Sequence, residues 1–583
     1  MDVGPDDPGN SDFLDDNDKI AFNLKDLPVL RDDVSAGTVS IRFYEDIPSV
    51  PYISAADFQA LILPGSTMTV SVEEGQYLLK NKYASAIVNT AQETFYTEDL
   101  MRLTNLMEQV QPGADNVCYD GAAFVRYAYQ LHTNPIPITL DYKAYGIDFR
   151  GDGENVFLPF CTLADLYSDL YFHYAFCDGK EVQVYSQNRG GNNEALLKNT
   201  RQPDMIAYTY SELCFVMDHF YGWPGRSIFE PYLNEIGLDG LLELTTEGKQ
   251  IKQLLNSYSM TDFAAGMEFL MTYFYDGGHT MTWVGNTILQ NPNYTYYLDY
   301  PTAFALYGQI YFSPYYGKAI GLVDILTPLR DSLFPEGGTY HKKGDTAICH
   351  FDKFSGTDYA AWQAYYDGTG PMPTLETSPN DPFTIFLDAL KKADEDPDVK
   401  NLVIDLTKNT GGSSDVVVAM TSLMYGDSFF RCINTLTGEK LVWHFDVDRN
   451  LDGKFDADDK LVHYNLNFCV LTSKYSFSCG NLFPALCQDA GVLITGETSG
   501  GGSCGVGAYL TPEGIYYKLS SYRGRLSDKG WGNIDGGIIP QVSIAFGPDI
   551  PYNYQGQIVP FPGYQTFYNL DNLSSIINGY YSN

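Results

Sequence analysis

A serine lodged between a buried strand and a helix can act as a nucleophile, because the turn exposes its Oγ and aims the next backbone N–H at the same point. The run Val470-Leu471-Thr472-Ser473-Lys474-Tyr475-Ser476-Phe477-Ser478-Cys479-Gly480-Asn481 offers this arrangement: an apolar strand passes through Ser476 and Ser478 into a helical stretch, Cys479–Asp489. A serine at a helix start is ordinarily a cap, so the residues around it must decide. In Asp405-Leu406-Thr407-Lys408-Asn409-Thr410-Gly411-Gly412-Ser413, two glycines follow a second apolar strand and precede a second helix. Backbone N–H groups freed there can hold an oxyanion, although a plain strand-to-helix turn has the same composition. A third loop, Gly496-Glu497-Thr498-Ser499-Gly500-Gly501-Gly502-Ser503, lacks the Gly-Lys-Ser/Thr of a P-loop, so nucleotide binding is not expected. Two histidines are candidates for a base: His350, ending Ala347-Ile348-Cys349-His350, and His279, in Asp276-Gly277-Gly278-His279-Thr280. A histidine on a buried strand is more often a core residue, and a Gly-Gly-His-Thr turn is more often structural.

Taken in order, Asp-Leu-x-x-Asn-x-Gly-Gly, then strand–Ser-x-x-Asn–helix ending Gln488-Asp489, then Gly-Glu-Thr-x-Gly-Gly-Gly, then Gly537-Ile538-Ile539-Pro540, the motifs resemble the tail-specific, C-terminal-processing and tricorn-core serine peptidases over about residues 340–545. The resemblance implies an α/β catalytic core of crotonase/ClpP-like fold. It implies Ser478 as nucleophile in preference to Ser476, counting back from Gln488-Asp489, with the N–H groups of Gly412 and Cys479 as the oxyanion hole. The processing branch carries its lysine base in the Gly-rich loop. Here that loop holds Gly501, Gly502 and Ser503 without a lysine, and a serine with no base is a poor nucleophile. The tricorn-like branch uses a histidine at the end of the first core strand, which matches His350, 478 − 350 = 128 residues before the serine. The resemblance thus implies His350 as general base and Asp535, in Ile534-Asp535-Gly536-Gly537, as the acid that orients it. The Asp276–Thr280 stretch resembles the Asp-Gly-His-Thr that closes the family's N-terminal helical region, which makes His279 the competing base. A PDZ module, common in the family, is not expected in the Tyr/Pro-rich interval 281–340.

Between the Gly-Gly loop and the serine lies an acidic insertion, 446–459. From Asp448 it reads D-x-N-x-D-G-x-F-D-x-x-D. Oxygen ligands fall at Asp448, Asn450, Asp452, the carbonyl of Lys454, Asp456 and Asp459, with Gly453 at the sharp turn. This is the spacing of an EF-hand-type calcium loop with a shorter last ligand. The other reading is an acidic hairpin with an Asp-Gly turn. A structural Ca2+ is expected, and no cofactor for catalysis.

These residues must be placed by a chain of 583 residues, long enough for several domains. Its 36 Lys plus Arg against 73 Asp plus Glu give a net charge of −37, which excludes a nucleic-acid binder and docking on an anionic membrane. With 44% hydrophobic and 19% charged residues the chain is not disordered, and no apolar run is long enough to span a membrane. The ten cysteines are scattered with no CxxC pair, which argues for buried thiols rather than a zinc ribbon. The composition predicts a flexible leader at 1–36 and an α+β region at 37–200 with two loosely similar strand–helix units. A linker is expected near 187–201, a helical region with an irregular connector at 201–340, and the core at 341–583. The Asp/Gly/Pro/Asn/Ser-rich start suggests a mature exported chain, extracellular or attached to the cell surface. The expected function is a serine endopeptidase acting on peptides or proteins. The alternative is a non-catalytic ligand- or glycan-binding protein on the same scaffold. Nothing in the sequence sets an oligomeric state.

Overall fold

Apolar runs of five or six residues separated by amphipathic stretches make strands with no polar face, and such strands must be covered by helices on both sides. The computed structural model shows this arrangement in the C-terminal half; it describes residues 19–105, 122–132, 134–168, 174–185, 197, 199–282, 316–427, 429–554 and 557–582. The strands Thr346–His350, Asn401–Asp405, Asn467–Thr472 and Leu493–Gly496 run parallel, with Tyr340–Lys343 antiparallel at one edge and Val542–Ser543 at the other. Register sets His350 beside Asp405 and Asp405 beside Leu471, so the loops that follow all leave the same edge. Ala347, Cys349, Leu402, Ile404 and Val470 lie in one buried cluster with residues of the helices Pro382–Glu395, Ser414–Tyr425 and Cys479–Asp489. Ile348, Val403, Cys469 and Leu471 share another with Leu573 and Ile577 of the C-terminal helix Leu570–Tyr581. Each such buried Leu or Ile contributes about 1.5–3 kcal/mol. The α/β core expected from the sequence is present.

A second sheet ties the expected regions together. Val125–His132 pairs antiparallel with Lys440–Val447, and that sheet continues through Phe429–Ile433 to Tyr516–Ser527, which also pairs with Cys504–Leu510 and with Met281–Thr282. Strands from all three expected regions therefore share one hydrogen-bonded surface. In the N-terminal region, Tyr52–Ser54 leads into the helix Ala55–Ile62, and Val156–Pro159 into Phe160–Tyr167. The two strands pair antiparallel, Ser54 opposite Phe157, so the two similar strand–helix units face each other.

One boundary is corrected. Residues Phe22–Arg31, inside the expected leader, form a strand antiparallel to Val34–Tyr44. Leu27 and Val29 alternate inward, and Asp32 and Asp33 turn the chain with positive φ, the kind of turn short polar residues accept. Most of the linker near 187–201, and residues 283–315 of the connector, lie outside the described residues.

At the junction of the N-terminal and helical regions, two carboxyls are buried together. Asp165 and Glu212 are each 2% exposed. Thr162 Oγ1 donates to Glu212 Oε2 at 2.6 Å, Cys161 Sγ lies 3.6 Å from Asp165 Oδ2, and Tyr208, Tyr509 and Tyr517 also face the pair. Burial pushes Glu212 up to about 7; burial and then the Glu212 charge push Asp165 well above its usual range. A carboxyl whose folded pKa is raised binds more protons when folded, so its stabilisation is lost as pH rises from the ordinary 4.5 of Glu through about 7. The melting temperature is expected to fall between about pH 5 and pH 8, and Glu212→Gln to flatten that slope. Thermal melts at fixed ionic strength would show it; a flat wild-type profile would contradict it.

Candidate active site

Ser478 caps the helix Cys479–Asp489 with φ 57° and ψ −120°, a conformation that costs a non-glycine residue roughly 1–3 kcal/mol and persists only where the surroundings enforce it. They do so here. Ser478 N–H donates to Gly501 O at 2.7 Å, and Phe477 N–H to Asn409 O at 3.0 Å. Gly411 (φ 96°) leaves space a side chain would fill: a Cβ there would lie 2.6 Å from Ser478 Cβ. At Gly502 (φ 84°) a Cβ would lie 2.8 Å from Ser478 N. The two glycine-rich loops recognised in the sequence therefore pack on either side of the serine. Ser476, the competing nucleophile, is fully buried; its Oγ donates to Leu406 O at 2.6 Å and accepts Ser473 N–H. Ser478 Oγ makes no hydrogen bond among the described residues.

The two proposed oxyanion donors meet at this point. Gly412 and Cys479 both line the cleft that contains Ser478. Cys479 Sγ donates to Gly412 O at 3.0 Å, while neither backbone N–H has an acceptor among the described residues. Two unclaimed N–H groups beside a free hydroxyl, one of them at a helix N-terminus, can stabilise a developing oxyanion.

The structure does not bring His350 to Ser478: no hydrogen bond joins them, and His350 is absent from the lining of the cleft. Its position at the end of an inner strand turns it into a different cluster. Arg330 grips Asp352 through two bonds of 2.9 and 3.1 Å and lies 3.6 Å from Asp405, while Lys408 pairs with Asp352 at 2.8 Å. His350 Nδ1 is buried there without a hydrogen-bond partner among the described residues. Burial, then the charges of Arg330 and His341, push the ring down to about 3.

His279 does not line the cleft or bond to Ser478 either, but it stands beside the segment that carries the serine. Asp276 Oδ1 accepts the N–H groups of His279 and Thr280 at 3.0 and 2.8 Å, and its Oδ2 accepts Thr280 Oγ1 at 2.8 Å and Ser520 Oγ at 2.5 Å. This locked turn sets the His279 ring 4.9 Å, centroid to centroid, from Phe477, the neighbour of Ser478. Burial lowers its pKa below 6.5; Lys518 and Arg226 lower it further, against the opposing charges of Asp276 and Asp535. The imidazole is neutral at neutral pH, the form a general base requires.

Asp535 is buried next to this group. It accepts Ser503 N–H at 2.8 Å, Ser503 Oγ at 2.7 Å and Gly502 N–H at 3.2 Å, and it pairs with Arg226. Burial alone would raise its carboxyl, but Arg226 and the Ser503 bonds hold it below the usual range. Arg226, in the loop after the helix Pro203–His219, also donates to Asp535 O at 2.7 Å and to Gly500 O. It was not singled out in the sequence, where nothing marks an arginine 535 − 226 = 309 residues from its partner. It fixes the loop whose Gly501 O holds Ser478. Arg226→Ala is expected to lower kcat about a hundredfold. Because burial of Asp535 is then opposed only by its hydrogen bonds from Ser503 and Gly502, the acid limb of the pH–rate profile should move to higher pH, and Arg226→Lys should move it part of the way back. An unshifted profile would leave Arg226 a purely structural residue.

The acidic insertion closes on itself. Asp448 and Asp459 are buried. Asp448 accepts Tyr366 OH and Gly453 N–H at 2.7 and 2.8 Å, Asn450 and Asp452 accept loop N–H groups, Asp456 accepts Asp458 N–H, and Asp459 accepts Arg449 N–H at 2.7 Å. Lys454 pairs with Asp452. Among the described residues no group of three or more His, Cys, Asp or Glu stands ready to hold a metal ion. No described helix is long and apolar enough to cross a membrane, and the nine cysteines among the described residues are free thiols.

Residues 372–544 match the model described as peptidase family S41; this span holds Ser478, Gly412, Cys479 and Asp535 but neither histidine. No curated protein matches the sequence. Among solved structures, a lipoprotein from Streptococcus agalactiae is 14% identical, with 59% of this chain and 93% of that one covered, at a TM-score of 0.32. A putative peptidase from Parabacteroides merdae is also 14% identical, with 52% and 91% covered, at 0.30. Mature CPAF complexed with lactacystin is 17% identical, with 41% of this chain covered, at 0.27; the match spans about half of CPAF, 53% of its length.

Proposed function

With residues 372–544 a domain of peptidase family S41, we propose that the whole chain is a serine peptidase that cleaves peptides or proteins through an acyl-enzyme on Ser478. The observation that carries this is the strained, unbonded Ser478 hydroxyl beside the two unclaimed N–H groups of Gly412 and Cys479. In the proposed cycle His279, rather than His350, takes the Ser478 proton as the Oγ attacks the substrate carbonyl. Gly412 and Cys479 N–H hold the oxyanion, and His279 returns the proton to the leaving amine. Asp535 stabilises the imidazolium electrostatically, and Arg226 keeps Asp535 ionised and in place.

A fluorophosphonate probe tests the reading. It should add one adduct, found by mass spectrometry on the peptide containing Ser478. If the protein stays unlabelled while an apolar ligand or a glycan raises its melting temperature, the non-catalytic alternative gains and the peptidase proposal falls.

Two further parts of the proposal rest on the sequence. An extracellular or cell-surface setting is supported by the excess of 73 acids over 36 bases. A structural Ca2+ in the loop Asp448–Asp459 is supported by the ligand spacing and by the mutual repulsion of buried Asp448 and Asp459, which raises Asp448 after burial and against its hydrogen bonds. Millimolar Ca2+ should raise the melting temperature of wild type and not of Asp448→Asn; no rise in wild type removes the calcium site.

A further inference from the structure

The cleft at Ser478 has a volume of about 180 Å³. Its walls are Phe430, Cys432, Trp443, Leu482, Val506 and Leu526, drawn from the second sheet and from the helix that Ser478 caps. Gly412, Ser478 and Cys479 line the same space, so a carbonyl placed on Ser478 Oγ, with its oxygen on the two free N–H groups, has this cleft beside it. Among the described residues no carboxylate, ammonium, guanidinium or imidazole lines it. The thiols that do are uncharged, because burial pushes Cys432 and Cys479 up to about 12 and raises Cys504 well above its ordinary value.

We propose that this cleft receives the substrate side chain just before the scissile bond, and that it selects a phenylalanine-sized apolar group and refuses charged ones. The proposal rests on Ser478 being the nucleophile. The size follows from the volume: an apolar cavity of about 150 Å³ accommodates benzene, so about 180 Å³ suits a benzyl group, which is one methylene larger. Phe430 and Trp443, whose rings lie nearly parallel at 6.2 Å between centroids and 16°, put two aromatic side chains in the wall for a guest ring to pack against. A methyl group in the same space leaves most of the wall without contact. A carboxylate or ammonium would lose its water and find no counter-charge.

Fluorogenic peptides that differ only in the residue before the scissile bond test this on the full chain. The substrate with Phe is expected to exceed that with Ala by about a hundredfold in kcat/KM, and those with Asp or Lys by more than about a thousandfold. Val506, a half-buried wall residue, allows the cleft to be resized. Val506→Phe should cost the Phe substrate about a hundredfold and the Ala substrate less than about threefold. Val506→Ala, which demands no extra space, should shift the optimum from Phe toward Trp. Phe, Ala and Asp substrates cleaved within about threefold of one another by wild type would overturn the proposal, as would an equal effect of Val506→Phe on the Phe and Ala substrates. Cleavage by Ser478→Ala at the wild-type rate would instead strike the nucleophile reading itself, whatever the preference.

Discussion

Ser478→Ala is expected to lower kcat by roughly 10⁴ to 10⁶-fold, with residual turnover from the oxyanion donors and substrate binding alone. The magnitude follows from covalent chemistry: without Oγ no acyl-enzyme forms, and His279 is left with only a water to activate. The same variant should leave the melting temperature almost unchanged. The Oγ it removes has no hydrogen bond among the described residues, and alanine inherits the same φ of 57°. Ser478→Gly should be equally inactive but more stable, by about 1 kcal/mol, because glycine adopts positive φ without strain. Steady-state kinetics on a peptide substrate and thermal melts of the three proteins check both halves. A large loss of stability in Ser478→Ala would make the serine a structural cap, and an active alanine variant would remove it from the mechanism.

The second large effect separates the histidines. His279→Ala should reduce kcat by about 10² to 10⁴-fold, the usual contribution of a positioned general base. His350→Ala should keep kcat within about threefold and show its effect in the melting temperature, because it alters only the cluster of Arg330, Asp352, Asp405 and Lys408. The pH dependence carries the same signature. Burial holds His279 below 6.5, and the reaction needs it neutral, so wild-type activity should persist as pH falls below 6.5 and decline only when His279 protonates. If His350→Ala were the silent enzyme and His279→Ala the active one, the base would have to be reassigned.

The two histidines also show what the sequence could and could not reveal. The parallel core was legible because strands such as Leu402-Val403-Ile404 are apolar throughout and alternate with amphipathic helices such as Pro382–Glu395, a pattern that few architectures satisfy. The serine and its two glycine turns were legible because all three are local: a few residues after a strand create each of them. The proposed base is not local. His350 ends a core strand and has the right sequence context, but the register places it beside Asp405, where Arg330 and His341 surround it. His279 comes from a turn 478 − 279 = 199 residues before the serine. Its signals were the resemblance of Asp276–Thr280 to the family's Asp-Gly-His-Thr and Gly277-Gly278, two positive-φ residues that let the turn fold tightly against Phe477. For Arg226 there was no signal, because its role exists only after the helical region has docked on the core.

The pairing of Val125–His132 with Lys440–Val447 has a consequence for how the chain folds while it is made. A ribosome delivers residue 132 long before residue 441, so this ladder waits for the intervening 441 − 132 = 309 residues to emerge. Contacts of that separation form slowly. During the wait the nascent chain already contains His279 and Arg226 but neither Ser478 nor Asp535. On the proposed mechanism no cleavage is expected until both have been added and the second sheet has closed, so the order of synthesis would do the work that a removable propeptide does elsewhere.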